Sequence, residues 1–152
     1  MKIGIGNDHT GVEMKSAIKE YMEEMGHTVV DYGVGENESC HYPVIGEKVG
    51  RAVAGGEVDC AVLICGTGVG ISLAANKVNR VRAAVCSDTT TARLVKEHNN
   101  ANIIAFGARI VGLEKAKDIV KAYLEAEFQG GRHAVRVAML EEIEKRSAGG
   151  EF

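Results

Sequence analysis

The stretch that decides the fold is "DCAVLICGTGVGISLAANK", residues 59–77. It opens with an uninterrupted apolar run from Cys60 to Cys65, which is typical of a strand buried on both faces of a parallel sheet. Glycines at positions 66, 68 and 70 follow, and the segment then continues with helical spacing. This order predicts a strand, a tight turn and a helix, with Cys65 at the entrance of the turn.

The same alternation recurs along the chain. Strand-like segments cover residues 2–6, 27–33, 59–65, 81–87 and 102–107, and helical spacing covers residues 11–25, 44–54, 90–97, about 113–127 and 134–146. Apolar strands that are each followed by a helix predict a parallel sheet covered on both faces. We therefore expect a three-layer α/β/α sandwich with a doubly wound, five-stranded parallel sheet of Rossmann-like type. Residues 1–146 should form a single domain, and residues 147–152 should be a disordered or appended tail.

The composition limits the classes of partner. With 152 residues, of which 45% are hydrophobic and 26% charged, the chain has the composition of one globular domain. Eighteen basic and 21 acidic residues give a net charge of −3, which provides no general attraction for nucleic acid or an anionic membrane. The N-terminal "MKIGIGNDHTG" lacks the apolar core of a signal peptide, and the uncharged run 60–76 is too short and glycine-rich for a membrane span. We expect a cytoplasmic protein whose anionic ligands require a local site.

The cysteines predict neither a disulfide framework nor a zinc site. None of the four, which are Cys40, Cys60, Cys65 and Cys86, forms a C-x-x-C pair. Cys60 and Cys86 lie inside apolar, strand-like runs and are predicted to be core residues.

Two loops are predicted to face each other across one crevice. In doubly wound sheets, ligands bind beyond the carboxyl ends of the strands, where the strand order reverses. Asn7, Asp8 and His9 follow the first strand, and residues 65–70 follow the third. The crevice between them is the expected ligand site.

The glycine turn does not match the dinucleotide-binding motif. The third glycine of G-x-G-x-x-G would fall at Ile71, and in "GIGNDH" it would fall at His9. Asp31, at the end of the second strand, does resemble the acidic residue that binds a nucleotide ribose, so a nucleotide-dependent dehydrogenase remains an alternative. Asp8 opposes it, because a carboxylate repels pyrophosphate.

The turn is suited to holding negative charge. It brings several backbone N–H groups together at a helix N-terminus, where partial positive charge favours an oxyanion. The same field stabilises a thiolate, so Cys65 could accept a proton or attack carbon. The alternative is that Cys65 is only the last buried residue of a strand.

Basic residues elsewhere suggest where a phosphorylated ligand binds. In "GGRHAVR", Arg132 and Arg136 are four residues apart on one face of a helix that begins after two glycines, an arrangement that suits a phosphate dianion. A solvated helix face is the alternative. In "KEHNNAN", His98 and Asn99 end a helix, where the helix C-terminus favours an imidazolium or the histidine serves as a cap.

Five motifs together resemble the B-type ribose-5-phosphate isomerases, in the group that also contains the galactose-6-phosphate isomerases. They are "NDHTG", "YP", "CGTGVGISLAANK", "KEHNNANIIAFGARIVG" and "FQGGRHAVR", and the resemblance runs from Met1 to about Arg146. It implies an aldose–ketose isomerase that works through a cis-enediolate without a metal or other cofactor. It also implies a homodimer or tetramer whose active site is shared between subunits, with a small sugar phosphate as the ligand.

The resemblance assigns the chemistry to the thiol and an imidazole. Cys65 is similar to the base that moves a proton between C2 and C1; some relatives use a glutamate at the position of Val69, which cannot titrate here. Thr67 and the N–H groups of the turn would stabilise the enediolate oxygen; the turn residues concerned are Gly66, Gly68, Val69 and Gly70. His98 would open the sugar ring, with Asn99 beside it.

The remaining positions would bind the sugar and the phosphate. Asp8, His9 and Tyr42 are similar to the sugar contacts of the family. Arg109, Arg132 and Arg136 are similar to its phosphate ligands.

Two departures bear on the substrate. Residue 41 is His in "CHYP", where ribose-5-phosphate isomerases of this type usually carry Asp, and residue 7 is Asn. His41 is more like the galactose-6-phosphate branch, whereas "EHN" and "GGRHAVR" are more like the ribose-5-phosphate branch. We expect ribose 5-phosphate, with a six-carbon 6-phosphate such as allose or galactose 6-phosphate, or a four-carbon sugar phosphate, as alternatives. A sugar-phosphate sensor would not need Cys65, and a thiol redox protein would need a second cysteine near it.

Overall fold

Five parallel strands form one sheet in the computed structural model, which covers residues 1–152. The strands are Lys2–Asn7 (β1), Thr28–Asp31 (β2), Cys60–Cys65 (β3), Ala83–Val85 (β4) and Ile103–Gly107 (β5). Their order across the sheet is β2-β1-β3-β5-β4, and every neighbouring pair is parallel. The α/β fold class expected from the sequence is confirmed.

Six α-helices connect and follow the strands. They are Val12–Glu24 (α1), Tyr42–Ala54 (α2), Val69–Asn76 (α3), Thr89–Asn99 (α4), Leu113–Glu125 (α5) and Arg132–Ala148 (α6), with a 3₁₀ turn over His9–Gly11. Every predicted element is present. The last helix extends two residues beyond Arg146 and is followed by two glycines.

The fourth strand is shorter than the predicted segment 81–87. Side-chain amides take over its pairing at the amino end: Asn102 Oδ1 accepts the Arg82 N–H at 2.8 Å, and Asn76 Oδ1 accepts the Ala83 N–H at 2.8 Å. Side chains thus bond these two N–H groups, which a hydrophobic pattern cannot reveal, while the Arg82 carbonyl oxygen still accepts from the backbone of Asn102 and Ile103.

Alternating side chains of the strands supply two apolar layers. On β3, Val62 and Ile64 point into a layer covered by α1, α4 and α5, whereas Leu63 and Cys65 point into a layer covered by α2 and α3. Cys60 and Cys86 are buried in the first layer, as predicted, and all four cysteines are free thiols. The thiol of Cys65 thus faces the layer that contains the helix after the glycine turn.

The strand order reverses between β1 and β3. The chain leaves β1 toward β2 on one side and later returns to place β3 on the other side of β1. The Asp8 N–H donates to the Ile64 oxygen at 3.2 Å, which holds the loop after β1 against the end of β3. The two loops predicted to border one crevice are therefore neighbours. None of the helices has the length and apolar character needed to span a bilayer.

Candidate functional site

The thiol of Cys65 is held by the backbone of the turn that follows it. The Gly68 N–H donates to Cys65 Sγ at 3.1 Å, and the Cys65 side chain is only 5% exposed. Gly68 has a φ of +81°, and a Cβ there would lie 2.8 Å from the Phe106 backbone. Only glycine fits this position, so the sequence of the turn fixes the donor that faces the sulfur.

The turn leaves three backbone donors free beside the thiol. The N–H groups of Gly66, Thr67 and Gly70 donate to no group of the protein, whereas the Val69 N–H donates to Thr67 Oγ1 at 3.3 Å. The sequence led us to expect the whole turn to bind an oxyanion. The available set is narrower, because the Gly68 and Val69 donors are already used.

The carboxylate of Asp8 is fixed at one oxygen and open at the other. Its Oδ1 accepts from the backbone N–H and the hydroxyl of Thr10, which makes Asp8 the cap of the 3₁₀ turn. Its Oδ2 has no hydrogen-bond partner in the protein. Every fully buried side-chain oxygen of the chain has such a partner, so Oδ2 must reach the surface. His9, the next residue, is exposed.

Tyr42 and Arg109 complete this end of the sheet. The Tyr42 ring packs on Gly70, where any Cβ would come within 2.8 Å of the ring. The backbone N–H of Arg109 donates to the carbonyl oxygen of Gly66 at 3.1 Å. We call the group formed by Asp8, His9, Tyr42, residues 65–70 and Arg109 the thiol half-site.

A second group forms where α4 ends and α6 begins. His98 and His133 are stacked, with ring centroids 4.2 Å apart and planes inclined by 8°. The Gln129 N–H donates to the Glu97 oxygen at 3.0 Å, which holds the segment before α6 against the end of α4. We call the group formed by His98, Asn99, Arg132, His133 and Arg136 the basic half-site.

The sequence pattern did not predict a role for His133. Burial lowers the pKa of His133 from its usual 6.5, and the neighbouring His98, Arg132 and Arg136 lower it further. Only His133 and Val137 are buried on α6, and they are four residues apart. That spacing is the signal in the sequence that could have shown His133 facing the protein.

The two half-sites lie at opposite edges of the sheet. Cys65 pairs with Gly107 at the carboxyl ends of β3 and β5, whereas α4 ends just before Ile103, where β5 begins. Arg82, which precedes β4, donates from Nε to the Asn100 oxygen at 3.0 Å and so keeps the end of α4 at the amino edge. The four residue steps of β5 alone span ~13 Å. One chain therefore does not bring His98 to Cys65.

Asp31 is not free to bind a nucleotide ribose. Its Oδ2 accepts from Lys15 Nζ at 2.9 Å, and its Oδ1 accepts from the Gly33 N–H at 2.9 Å. This occupancy removes the residue on which the dehydrogenase alternative rested. No cluster of three or more His, Cys, Asp or Glu side chains is arranged to hold a metal ion.

The chain is similar to known sugar-phosphate isomerases over most of its length. A family model described as Ribose/Galactose Isomerase matches residues 3–140. The chain is 50% identical to the ribose-5-phosphate isomerase B of Escherichia coli (strain K12), over 95% of this chain and 97% of that protein. It is 46% identical to the galactose-6-phosphate isomerase subunit LacB of Clostridium acetobutylicum, over 85% of this chain and 75% of that protein. The solved structure of Clostridium thermocellum ribose-5-phosphate isomerase B superimposes with a TM-score of 0.94 at 54% identity, covering 97% of this chain and 99% of that chain.

Proposed function

Because the chain belongs to the ribose/galactose isomerase family, we propose that it interconverts ribose 5-phosphate and ribulose 5-phosphate. It is an isomerase of the ribose-5-phosphate isomerase B type. The observation that carries the choice of chemistry is the thiol half-site, where a sulfur that accepts the Gly68 N–H lies beside three unpaired backbone donors. A base and an oxyanion site are what proton transfer between adjacent carbons requires.

The first step is ring opening. His98 moves a proton between the ring oxygen and the anomeric hydroxyl, and Asn99 lies beside it. The stacked His133 supports an aromatic ring at His98 and carries a lowered pKa, so this neighbour stays neutral near pH 7.

The second step moves hydrogen from C2 to C1. The Cys65 thiolate takes the proton from C2 of the open-chain aldose, and the electron pair shifts to give a cis-enediolate. The thiol then returns a proton to C1 while the hydroxyl proton passes from O2 to O1, which leaves the ketose. The Gly68 N–H donates to the sulfur and holds it at the entrance of the turn.

The enediolate oxygen is stabilised by the turn. The N–H groups of Gly66, Thr67 and Gly70 are the free donors, and the N-terminus of α3 adds its partial positive charge. Each well-aimed donor of this kind contributes about 3 kcal/mol to the transition state. Proton transfer of this kind uses groups that the chain itself supplies, and the proposal involves no metal or other cofactor.

The proposed active site combines the thiol half-site of one chain with the basic half-site of a second copy. This arrangement follows from the ~13 Å or more between the two groups within one chain. The phosphate would then bind Arg109 from one subunit and Arg132 and Arg136 from the other. Asp8, His9 and Tyr42 would contact the sugar.

Exposed apolar side chains support a homodimer, alone or within a tetramer. On α6, Val135, Met139 and Ile143 are 63%, 61% and 53% exposed and, being four residues apart, form one stripe. Val69 and Leu73 form a second exposed apolar pair on α3. Large contiguous apolar surfaces of this kind mark protein interfaces. The stripe lies on α6, the helix that carries Arg132 and Arg136. A second subunit that covers the stripe would therefore lie next to these arginines.

A panel assay tests the substrate assignment. Purified protein is given four-, five- and six-carbon sugar phosphates at equal concentration, and the proposal expects the highest kcat/KM for ribose 5-phosphate. The second candidate is a six-carbon 6-phosphate, which is favoured by His41 and by the 46% identity to a galactose-6-phosphate isomerase subunit. Preference for allose or galactose 6-phosphate would establish that candidate, and no turnover of any sugar phosphate would remove the proposed activity. A cytoplasmic location belongs to the same proposal, and cell fractionation tests it.

A further inference from the structure

Asn7, the last residue of β1, bridges two chain segments next to the thiol half-site. Its side chain is 0% exposed. Nδ2 donates to the backbone carbonyl oxygens of Asp8, at 2.8 Å, and of Val34, at 3.2 Å. Oδ1 accepts the backbone N–H of Val34 at 3.2 Å. One buried amide thus holds the loop after β2 to the segment that carries Asp8 and His9.

Gly33 is the residue that makes room for this amide. A Cβ at position 33 would lie 1.8 Å from Asn7 Oδ1 and 2.9 Å from both Asn7 Cγ and the Asn7 backbone nitrogen. Gly33 is absent from the positive-φ residues of the chain, so its backbone would accept an alanine. The closest of these contacts is with the side chain of Asn7, so the amide is the main reason for a glycine here.

The bridge joins two walls of the sugar site. On one side, Asp8 and His9 follow Asn7 directly; on the other, the loop from Gly33 leads to His41 and Tyr42. His9 and Gly35 line the same surface groove, which contains no other member of the thiol half-site. A shift of the loop would therefore change the spacing between the sugar contacts of β1 and the Tyr42 ring.

We propose that Asn7 is a positioning residue that sets the width of the sugar pocket by holding residues 33–35 against the end of β1. This inference rests on the proposed function, because it takes Asp8, His9 and Tyr42 as the sugar contacts. A buried amide that loses its partners is costly, so the bridged arrangement is strongly preferred over an open one. The residue touches no substrate and acts through its neighbours.

The test is a double-mutant cycle with Asn7→Ala and Gly33→Ala. Gly33→Ala pushes the amide out of place, and Asn7→Ala removes it, so each single variant should lose about tenfold in kcat/KM for ribose 5-phosphate, mostly as a rise in KM. In the Asn7→Ala background, the 1.8 Å contact is gone and only the 2.9 Å contact with the backbone nitrogen of residue 7 remains. The double variant should therefore lose much less than the product of the two single effects.

A matched control separates positioning from stability. Asn76 uses its amide in the same way, bonding the N–H and the oxygen of Ala83 at 2.8 Å each, but on the far side of the fold. Asn76→Ala should lower the melting temperature with KM unchanged. If Asn7→Ala fails to fold, Asn7→Ser, which keeps a short polar side chain, replaces it in the cycle. If Gly33→Ala alone fails to fold, the inference expects folding to return in the double variant, and a double variant that also fails to fold contradicts it.

Two outcomes overturn the inference. The effects of Asn7→Ala and Gly33→Ala could multiply in the double variant, which would mean that they act independently. Alternatively, KM could stay at the wild-type value in every variant while the melting temperature falls, which would leave Asn7 a purely structural role. Wild-type turnover of ribose 5-phosphate, measured alongside, tests the proposed function separately.

Discussion

At the scale of single residues, the thiol of Cys65 is the proposed catalytic base. We expect Cys65→Ala to lower kcat by about 10²–10⁴-fold, the usual contribution of a positioned base. Binding of ribose 5-phosphate, measured by calorimetry, should persist because the arginines remain. Cys40→Ala, which removes another free thiol near this end of the sheet, is the control and should keep its turnover. Full activity in Cys65→Ala would remove the base assignment.

His133 predicts how stability depends on pH. Its pKa in the folded protein lies below 6.5, because of burial and the positive charges of Arg132 and Arg136. The unfolded chain therefore binds this proton more readily, and stability is retained above pH 6.5 and lost as the pH falls through the folded pKa. His133→Phe keeps a ring stacked on His98 but cannot titrate.

Thermal unfolding between pH 5 and 8 compares the two proteins. The melting temperature of the wild-type protein should fall more steeply below pH 6.5 than that of His133→Phe. His27 also has a lowered pKa, but it is present in both proteins and cancels in the difference. Parallel curves would show that His133 does not titrate differently in the folded state.

Residue roles could be predicted from sequence only where local pattern fixes them. Cys65 stands out because it directly precedes a segment with glycines at positions 66, 68 and 70, which is typical of a tight turn. Asn7 and His133 could not be assigned, because their partners, Val34 and His98, are distant in sequence and are set by packing.

At the scale of elements, the glycine turn between β3 and α3 holds the Cys65 thiol in position. Gly68→Ala would place a methyl group 2.8 Å from the Phe106 backbone and force a side chain into φ +81°. We expect a loss of about 2–4 kcal/mol in the free energy of unfolding and a fall in kcat, because the donor to Cys65 Sγ moves.

Gly26→Ala is the matched control for this turn. Gly26 also has a positive φ, +93°, but no atom lies within 4 Å of the Cβ position. Gly26→Ala should lower the free energy of unfolding by only about 1 kcal/mol, the cost of placing a side chain at a positive φ, and should keep wild-type kcat. Denaturant unfolding and turnover assays measure both variants, and equal effects in the two would contradict a special role for the turn.

The elements were the part of the fold most readable from the sequence. Apolar runs such as 60–65 and helical spacing such as 113–125 are strong signals over their whole length. The ends of β4 were misjudged, since Asn76 and Asn102 satisfy its flanking backbone through long-range contacts.

At the scale of the whole molecule, α6 is predicted to be an interface helix. Met139→Glu puts a charge in the middle of the apolar stripe of α6 and should shift the protein toward monomers in analytical ultracentrifugation, with activity falling in parallel. Lys145→Glu changes charge on another face of the same helix and is the control. A dimer that survives Met139→Glu with full activity would contradict this interface.

The separation of the half-sites was not predicted, although it follows from the order of the predicted elements. The motifs around Cys65 and His98 are only 33 residues apart along the chain. Their placement at opposite edges follows from the direction of α4, which runs back across the sheet before β5 begins. The resemblance to the isomerase family implied a shared site, and under the proposed mechanism the separation of the two half-sites is the physical reason for sharing.

Mixing two inactive variants tests the shared site most directly. Cys65→Ala and His98→Asn chains are purified separately, mixed in equal amounts and allowed to exchange subunits, with mixed dimers counted by native mass spectrometry. A shared site predicts that activity returns to about a quarter of the wild-type value, since half of the dimers are mixed and each has one intact site of two. Mixed dimers that are no more active than their parents would contradict a site built from two chains.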